Sequence, residues 1–281
     1  MATTIRPRRL NHMNLVLENA ARGLQHMQDT FDAEPVADVP GAAYHAFLFA
    51  IGGALFEAFV PGVWLLTARY GPHFVGVEYQ ADMDIVVQAV AERNMRIVRE
   101  SRYEKDLAGN PGYALHTHPE DGFGVSYEFY HDDFHTWNWP ALGGRIKPVE
   151  AWASHPFGHT GQKGYTHAVA DIDAASAFLQ GFLAAEPIYE EDRPLIAGRA
   201  IGLRIADIIV ELQTPTGDGV LARHLYRYGD GVRTAVFGVK NIDRAARYLS
   251  DRGLAAIPGG KAGTIAIPAE ANLGVIFEFE E

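Results

Sequence analysis

Four residues stand out by type and position: His12, Glu57, His73 and Glu128. Each lies in a short alternating segment and so reads as a strand side chain. Side chains along a strand alternate between faces. His12 therefore shares a face with Asn14 and Val16, while Met13, Leu15 and Leu17 form an apolar row that can pack beneath a helix. Glu57 shares a face with Leu55 and Phe59, and Glu128 shares one with Ser126 and Tyr130. A carboxylate in such surroundings needs a partner, because an unpaired ionised group is costly to bury. If the helix-free faces line one cleft, two imidazoles and two carboxylates meet there. The chain has no cysteine, which excludes disulfides, thiolate zinc sites, iron–sulfur clusters and a Cys nucleophile. A nitrogen-and-oxygen ligand set of this kind suits Zn, Ni, Co, Mn or Fe(II).

Alternatives stay open for two of the four. In an unbroken strand, His73 turned to the cleft would send Glu78 to the helix side unless the strand bulges or ends first. His45 and His116 are the nearest substitutes for it. Glu57 could instead pair with Arg69 or Arg93.

The elements that must position these residues recur. At a period of roughly 60 to 70 residues the chain repeats an alternating strand, an amphipathic helix opened by Asn or Asp, two extended stretches and a closing strand with a Glu. The opening strands begin at Leu10, His73, Tyr165 and Thr234. The helices follow Asn19, Asp82, Asp173 and Asn241, and the closing strands carry Glu57, Glu128, Glu211 and Glu278. The duplication is plainest in Gly124-Val125-Ser126-Tyr127-Glu128-Phe129 and Gly274-Val275-Ile276-Phe277-Glu278-Phe279. This predicts an α+β fold of four βαβββ modules paired into two open barrels, with domains at 1–142 and 143–281. Between them, 132–164 is rich in Trp, His, Pro and Gly and reads as a linker or covering loop. The aromatic residues Tyr127, Phe129, Tyr130, Phe134, Trp137 and Trp139 would either line a pocket for a flat ligand or pack at the domain interface.

At 281 residues, two domains are the natural division. The apolar share of 48% is that of a folded protein, and a net charge of -11 without basic clusters argues against a nucleic-acid partner. The polar, basic start and the lack of a long apolar run predict a cytoplasmic protein without a membrane partner.

The order and spacing of the four motifs carry a resemblance. His12-Met13-Asn14-Leu15-Val16-Leu17, then Leu55-Phe56-Glu57, then the His73 strand, then Gly124 to Phe129 resemble the four-ligand arrangement of the vicinal oxygen chelate superfamily, of glyoxalase, bleomycin-resistance and extradiol-dioxygenase type. The resemblance implies a metal held by His12, Glu57, His73 and Glu128, with Glu128 or Glu57 also moving a proton. In the second half the matching positions are His167, Glu211, Thr234 and Glu278, so one histidine is lacking and the site there reads as degenerate. The implied activity is that of a divalent-metal-dependent isomerase or lyase acting on a small oxygen-chelating substrate through an enolate-type intermediate. An Fe(II) ring-cleavage dioxygenase is the alternative, and a metal-free small-molecule-binding protein the third reading. A small-molecule substrate, with an aromatic one compatible, is the expected partner, and either a monomer or a homodimer is compatible with the duplicated plan.

Overall fold

A computed structural model describes residues 2–40, 45–60 and 71–281. The first module runs β1 (Arg9–Val16), α1 (Ala20–Phe31), β2 (Glu34–Pro40), β3 (His45–Ile51) and β4 (Ala54–Val60). The second runs β5 (His73–Gln80), α2 (Met83–Glu92), β6 (Ile97–Tyr103), β7 (Gly112–Thr117) and β8 (Ser126–Tyr130). The third has β9 (His159–Ala168), α3 (Ile172–Leu183), β10 (Glu186–Arg193), β11 (Gly198–Ile205) and β12 (Ile208–Pro215). After an additional helix α4 (Val220–Tyr228), the fourth has β13 (Gly231–Val239), α5 (Ile242–Asp251), β14 (Ile257–Pro258), β15 (Ile265–Ile267) and β16 (Ile276–Glu280).

The caps explain where the helices start. Asn19, Asp82, Asp171 and Asn241 each accept a hydrogen bond from a first-turn backbone N–H with their side chain. Such a bond satisfies a donor that the helix cannot. In the third module the cap is Asp171, and Asp173 lies inside the first turn.

Each half forms one eight-stranded sheet, ordered β2-β3-β4-β1-β5-β8-β7-β6 and β10-β11-β12-β9-β13-β16-β15-β14. Two modules meet at an antiparallel seam, β1 against β5 and β9 against β13. The architecture is thus α+β, with four βαβββ modules paired into two curled half-barrels.

The two sheets do not stand apart. One apolar core takes Met13, Leu15, Phe31, Phe56 and Tyr79 from the first half and Tyr165, Phe182, Phe237 and Phe277 from the second. Phe31 of α1 meets Phe277 at 5.4 Å between ring centroids, Phe56 meets Phe237 at 5.8 Å, and Phe182 of α3 meets Tyr127 at 5.9 Å. Each such ring contributes on the order of 2–3 kcal/mol through its burial. The apolar row of β1 therefore faces both its own helix and the other half.

Two features depart from the sequence-based expectation. β9 begins at His159, inside the stretch read as linker, because Gly161 and Gly164 suggest a loop. In the sheet, register shifts opposite β13 absorb these glycines, and both adopt positive φ. The second is α4, absent from the repeat plan, whose Leu221 packs with Ala168 and Ile196 over the inner face of the second sheet. The division at 142/143 falls between β8 and β9, in a segment of short 3₁₀ turns.

Candidate metal centre

A single row of cross-strand neighbours builds the site. His12 of β1 lies opposite Glu78 of β5, Glu78 beside Glu128 of β8, and Glu128 opposite His116 of β7. Partners in register project to the same face, so these four side chains converge on the inner face of the first half-barrel. One row over, Asn14 lies beside Glu57 of β4. A register shift between Leu10 and His12 bulges β1 at Asn11, which brings Asn11 to the same side as His12.

The distances are short. His12 Nε2 is 3.3 Å from Glu57 and 3.9 Å from Glu128, and His12 Nδ1 is 3.5 Å from Glu78. One ligand atom each from His12, Glu78 and Glu128 lies within 4.8 Å of the others. His116 Nε2 is 2.8 Å from the other oxygen of Glu128. Asn14 donates to Glu128 at 3.0 Å and Asn11 to Glu78 at 2.9 Å. His12, Glu78 and Glu128 are buried, whereas the Glu57 side chain retains 18% exposure at the rim.

The electrostatics follow from crowding acids out of water. Burial and the neighbouring Glu128 charge push the Glu78 carboxyl well above the usual carboxylate range. Burial alone would raise Glu128 too, but the charge and hydrogen bond of His116, with His12 behind it, outweigh this and hold it low. The opposite directions of the two shifts favour a protonated Glu78 beside an ionised Glu128. Both ring nitrogens of His12 are buried without a hydrogen-bond partner among the described residues. An orphaned imidazole among three acids is what a divalent cation would satisfy: it would bond a His12 nitrogen and neutralise the carboxylates crowded around it. The residues present fit such an ion.

The segment after β8 roofs this face. Phe134 stacks on the His12 ring, with centroids 5.6 Å apart and planes at 19°. Trp137 and Trp139 continue the cover, Trp137 lying 4.3 Å from Phe134 and 5.1 Å from Trp139. Asn11 ties the roof down by accepting from the Phe134 N–H and donating to the Asp132 carbonyl. Of the aromatic residues singled out in the sequence, Tyr130, Phe134, Trp137 and Trp139 pack on this inner face, while Tyr127 and Phe129 belong to the core between the halves.

The structure brings His12, Glu57 and Glu128 together and leaves His73 out. His73 begins β5 opposite Val16, and its Nδ1 donates to the Gly71 carbonyl. Glu78 stands where a cleft-facing β5 residue is needed. The signal was in the sequence: Glu78 is an acid within an apolar strand, the same reasoning that selects Glu128. Of the two substitute histidines, His116 enters the site, whereas His45 pairs with Asp38 at the exposed edge of β3. Arg93 donates to the Thr3, Ala89 and Gly181 carbonyls rather than to Glu57, and Arg69 lies outside the described residues.

No family model and no curated protein matches the sequence. Solved structures match its fold. A variant of 4-hydroxymandelate synthase from Streptomyces coelicolor superposes with a TM-score of 0.76 at 14% identity, over 98% of this chain and 92% of that one. The Mn(II)-bound glyoxalase from Novosphingobium aromaticivorans superposes with a TM-score of 0.66 at 12% identity, over 98% and 82%. The fold is that of the vicinal oxygen chelate superfamily.

Within this vicinal oxygen chelate fold the second half carries no comparable cluster among the described residues. His167 turns to the core between the halves and donates Nε2–H to the Phe123 carbonyl at 2.7 Å. Glu211 is held by Arg193 at 2.6 Å, with Tyr189 and Gln213 also donating to it. Thr234 bonds Thr166, and Glu278 accepts from Thr264 and the Gly260 N–H. An acid already satisfied by a guanidinium has little left to offer a metal.

Proposed function

We propose that the protein is a divalent-metal-dependent enzyme of lyase or isomerase type, acting on a small substrate with two neighbouring oxygens. The observation that carries this is the buried His12, Glu78 and Glu128 cluster with a fourth acid, Glu57, at its solvent-facing edge. In this reading His12, Glu78 and Glu128 hold the ion. When bound, it would supply Lewis-acid polarisation of the substrate oxygens. Asn11, Asn14 and His116 fix the carboxylate orientations through the bonds described above. Glu57 is the base: it is the least buried carboxylate of the set, and it takes a proton from the substrate carbon and returns it. Glu128, held low by His116, is the poorer base and the better ligand. Phe134, Trp137 and Trp139 keep water from the covered side of His12. We place this site in the domain 1–142, with 143–281 a partner lacking one. Pairing of the halves within one chain would supply what a single-module pair obtains by dimerising.

The test is anaerobic. The chain, reconstituted with Mn(II) or Zn(II), would be incubated in deuterated water with a panel of 2-oxo acids, 2-hydroxy ketones and acyl thioesters. Deuterium should enter at the carbon beside the carbonyl, and Glu57→Gln should slow entry at least about 100-fold while keeping its metal. Turnover seen only with Fe(II) and O2 would replace this reading with the ring-cleaving dioxygenase.

A further inference from the structure

The two halves leave a second cavity that shares no residue with the metal centre. It is a cleft of about 820 Å³ between the start of β5 and the turn at 118–124 on one side and α4, the start of β13 and residues 269–276 on the other. The halves touch beside it at Gly124, whose positive φ and contact with the Asp230 carbonyl leave no room for a side chain. Phe74, Val75, Phe123, Val232 and Val275 give it apolar walls.

Its polar lining is unusual because donors outnumber what the protein offers them. Arg233 makes no ion pair within 4.0 Å among the described residues, and its Nη1 is sequestered from water without a hydrogen-bond partner. The carboxylates whose charge it feels, Glu278 and Glu211, are committed to Thr264, Gly260, Arg193, Tyr189 and Gln213. His224 Nε2, in the same cleft, is likewise buried and unpartnered. Burial and the nearby Arg233 push His224 down to about 4, so it is neutral at ordinary pH and has one N–H to give. The acids of the lining are already engaged, Glu120 by Arg96 and Asp230 by the Ala170 N–H. A guanidinium N–H held away from water without an acceptor is costly, and the planar fork of the group matches an oxyanion.

We propose that this interdomain cleft binds a small organic anion, a carboxylate or phosphate ester carried on an apolar body, with Arg233 pairing its oxygens and His224 donating to one of them. The apolar walls take the body, as in other small-molecule sites of similar volume. The site is independent of the metal centre, since His73, at its edge, and Glu78 lie at opposite ends of the same strand.

Calorimetric titration of the whole chain with phenylacetate, phenyl phosphate, inorganic phosphate and benzyl alcohol tests this. At least one phenyl anion should bind with Kd below about 1 mM, and inorganic phosphate and benzyl alcohol at least tenfold more weakly. The tighter of phenylacetate and phenyl phosphate identifies the headgroup. Arg233→Met should weaken binding at least tenfold, while Glu128→Gln leaves it within twofold. Because Arg233→Met removes an unpaired charge, its melting temperature should match or exceed that of the wild type. Binding of neither phenyl anion, binding unchanged in Arg233→Met, or a melting temperature lowered by that substitution would overturn the proposal.

Discussion

At the scale of single residues the molecule keeps several polar groups in places that water does not reach, and histidine shows the cost. His159 has both ring nitrogens unpartnered, and burial together with the charge of His155 pushes it down to about 3. His167 is pushed down to about 4 by burial, against the opposing pull of its bond to the Phe123 carbonyl. For both, the folded value lies below the ordinary 6.5, so the unfolded chain takes up the proton first. The stability that this neutral state confers is fully present above about pH 6.5 and is lost as pH falls toward the folded values. At pH 5 each histidine should cost on the order of 2 kcal/mol. His159→Phe removes one charging group, so the stability difference between pH 7 and pH 5, measured by urea denaturation, should shrink by about that amount. An undiminished difference would show that His159 is not the group responsible.

At the scale of elements, much was legible and the failures have physical causes. Each helix of the repeat plan announces itself by its Asn or Asp cap and its apolar stripe, and the closing strands by an acid in an apolar run. The start of β9 was hidden because glycine signals a loop, whereas here it accommodates bulges against β13. α4 was hidden because a repeat plan has no place for an insertion. In β5 the fault was one of parity: His73 and Glu78 are five residues apart and cannot face one side of a regular strand. Register decides between them, and register is a property of the pairing with β1, where Glu78 meets His12 and His73 meets Val16. Likewise His116 reaches Glu128 only because β7 and β8 are adjacent and antiparallel. The roof over the site was legible as an aromatic segment but not as a cover, since what Trp137 and Trp139 bury against is decided by the fold.

At the scale of the whole molecule, the halves form two sheets but one core, with α1 and α3 each packed against the opposite half. Separating them would expose that core, so the chain should unfold in a single calorimetric transition with calorimetric and van't Hoff enthalpies in agreement. Two resolved transitions would mean that the halves are stable independently. The same arrangement fixes the seam of β1 and β5 at the centre of the first half-barrel, which is where His12 and Glu78 meet. The most direct test of the account is metal content per chain, measured by elemental mass spectrometry on untagged protein, for the wild type, Glu78→Gln, Glu128→Gln and His73→Ala. The wild type and His73→Ala should each carry about one equivalent, and both glutamine variants should lose it. Absence of metal after reconstitution with Zn, Ni, Co, Mn and Fe(II), or a metal that survives Glu78→Gln and disappears with His73→Ala, would contradict the account.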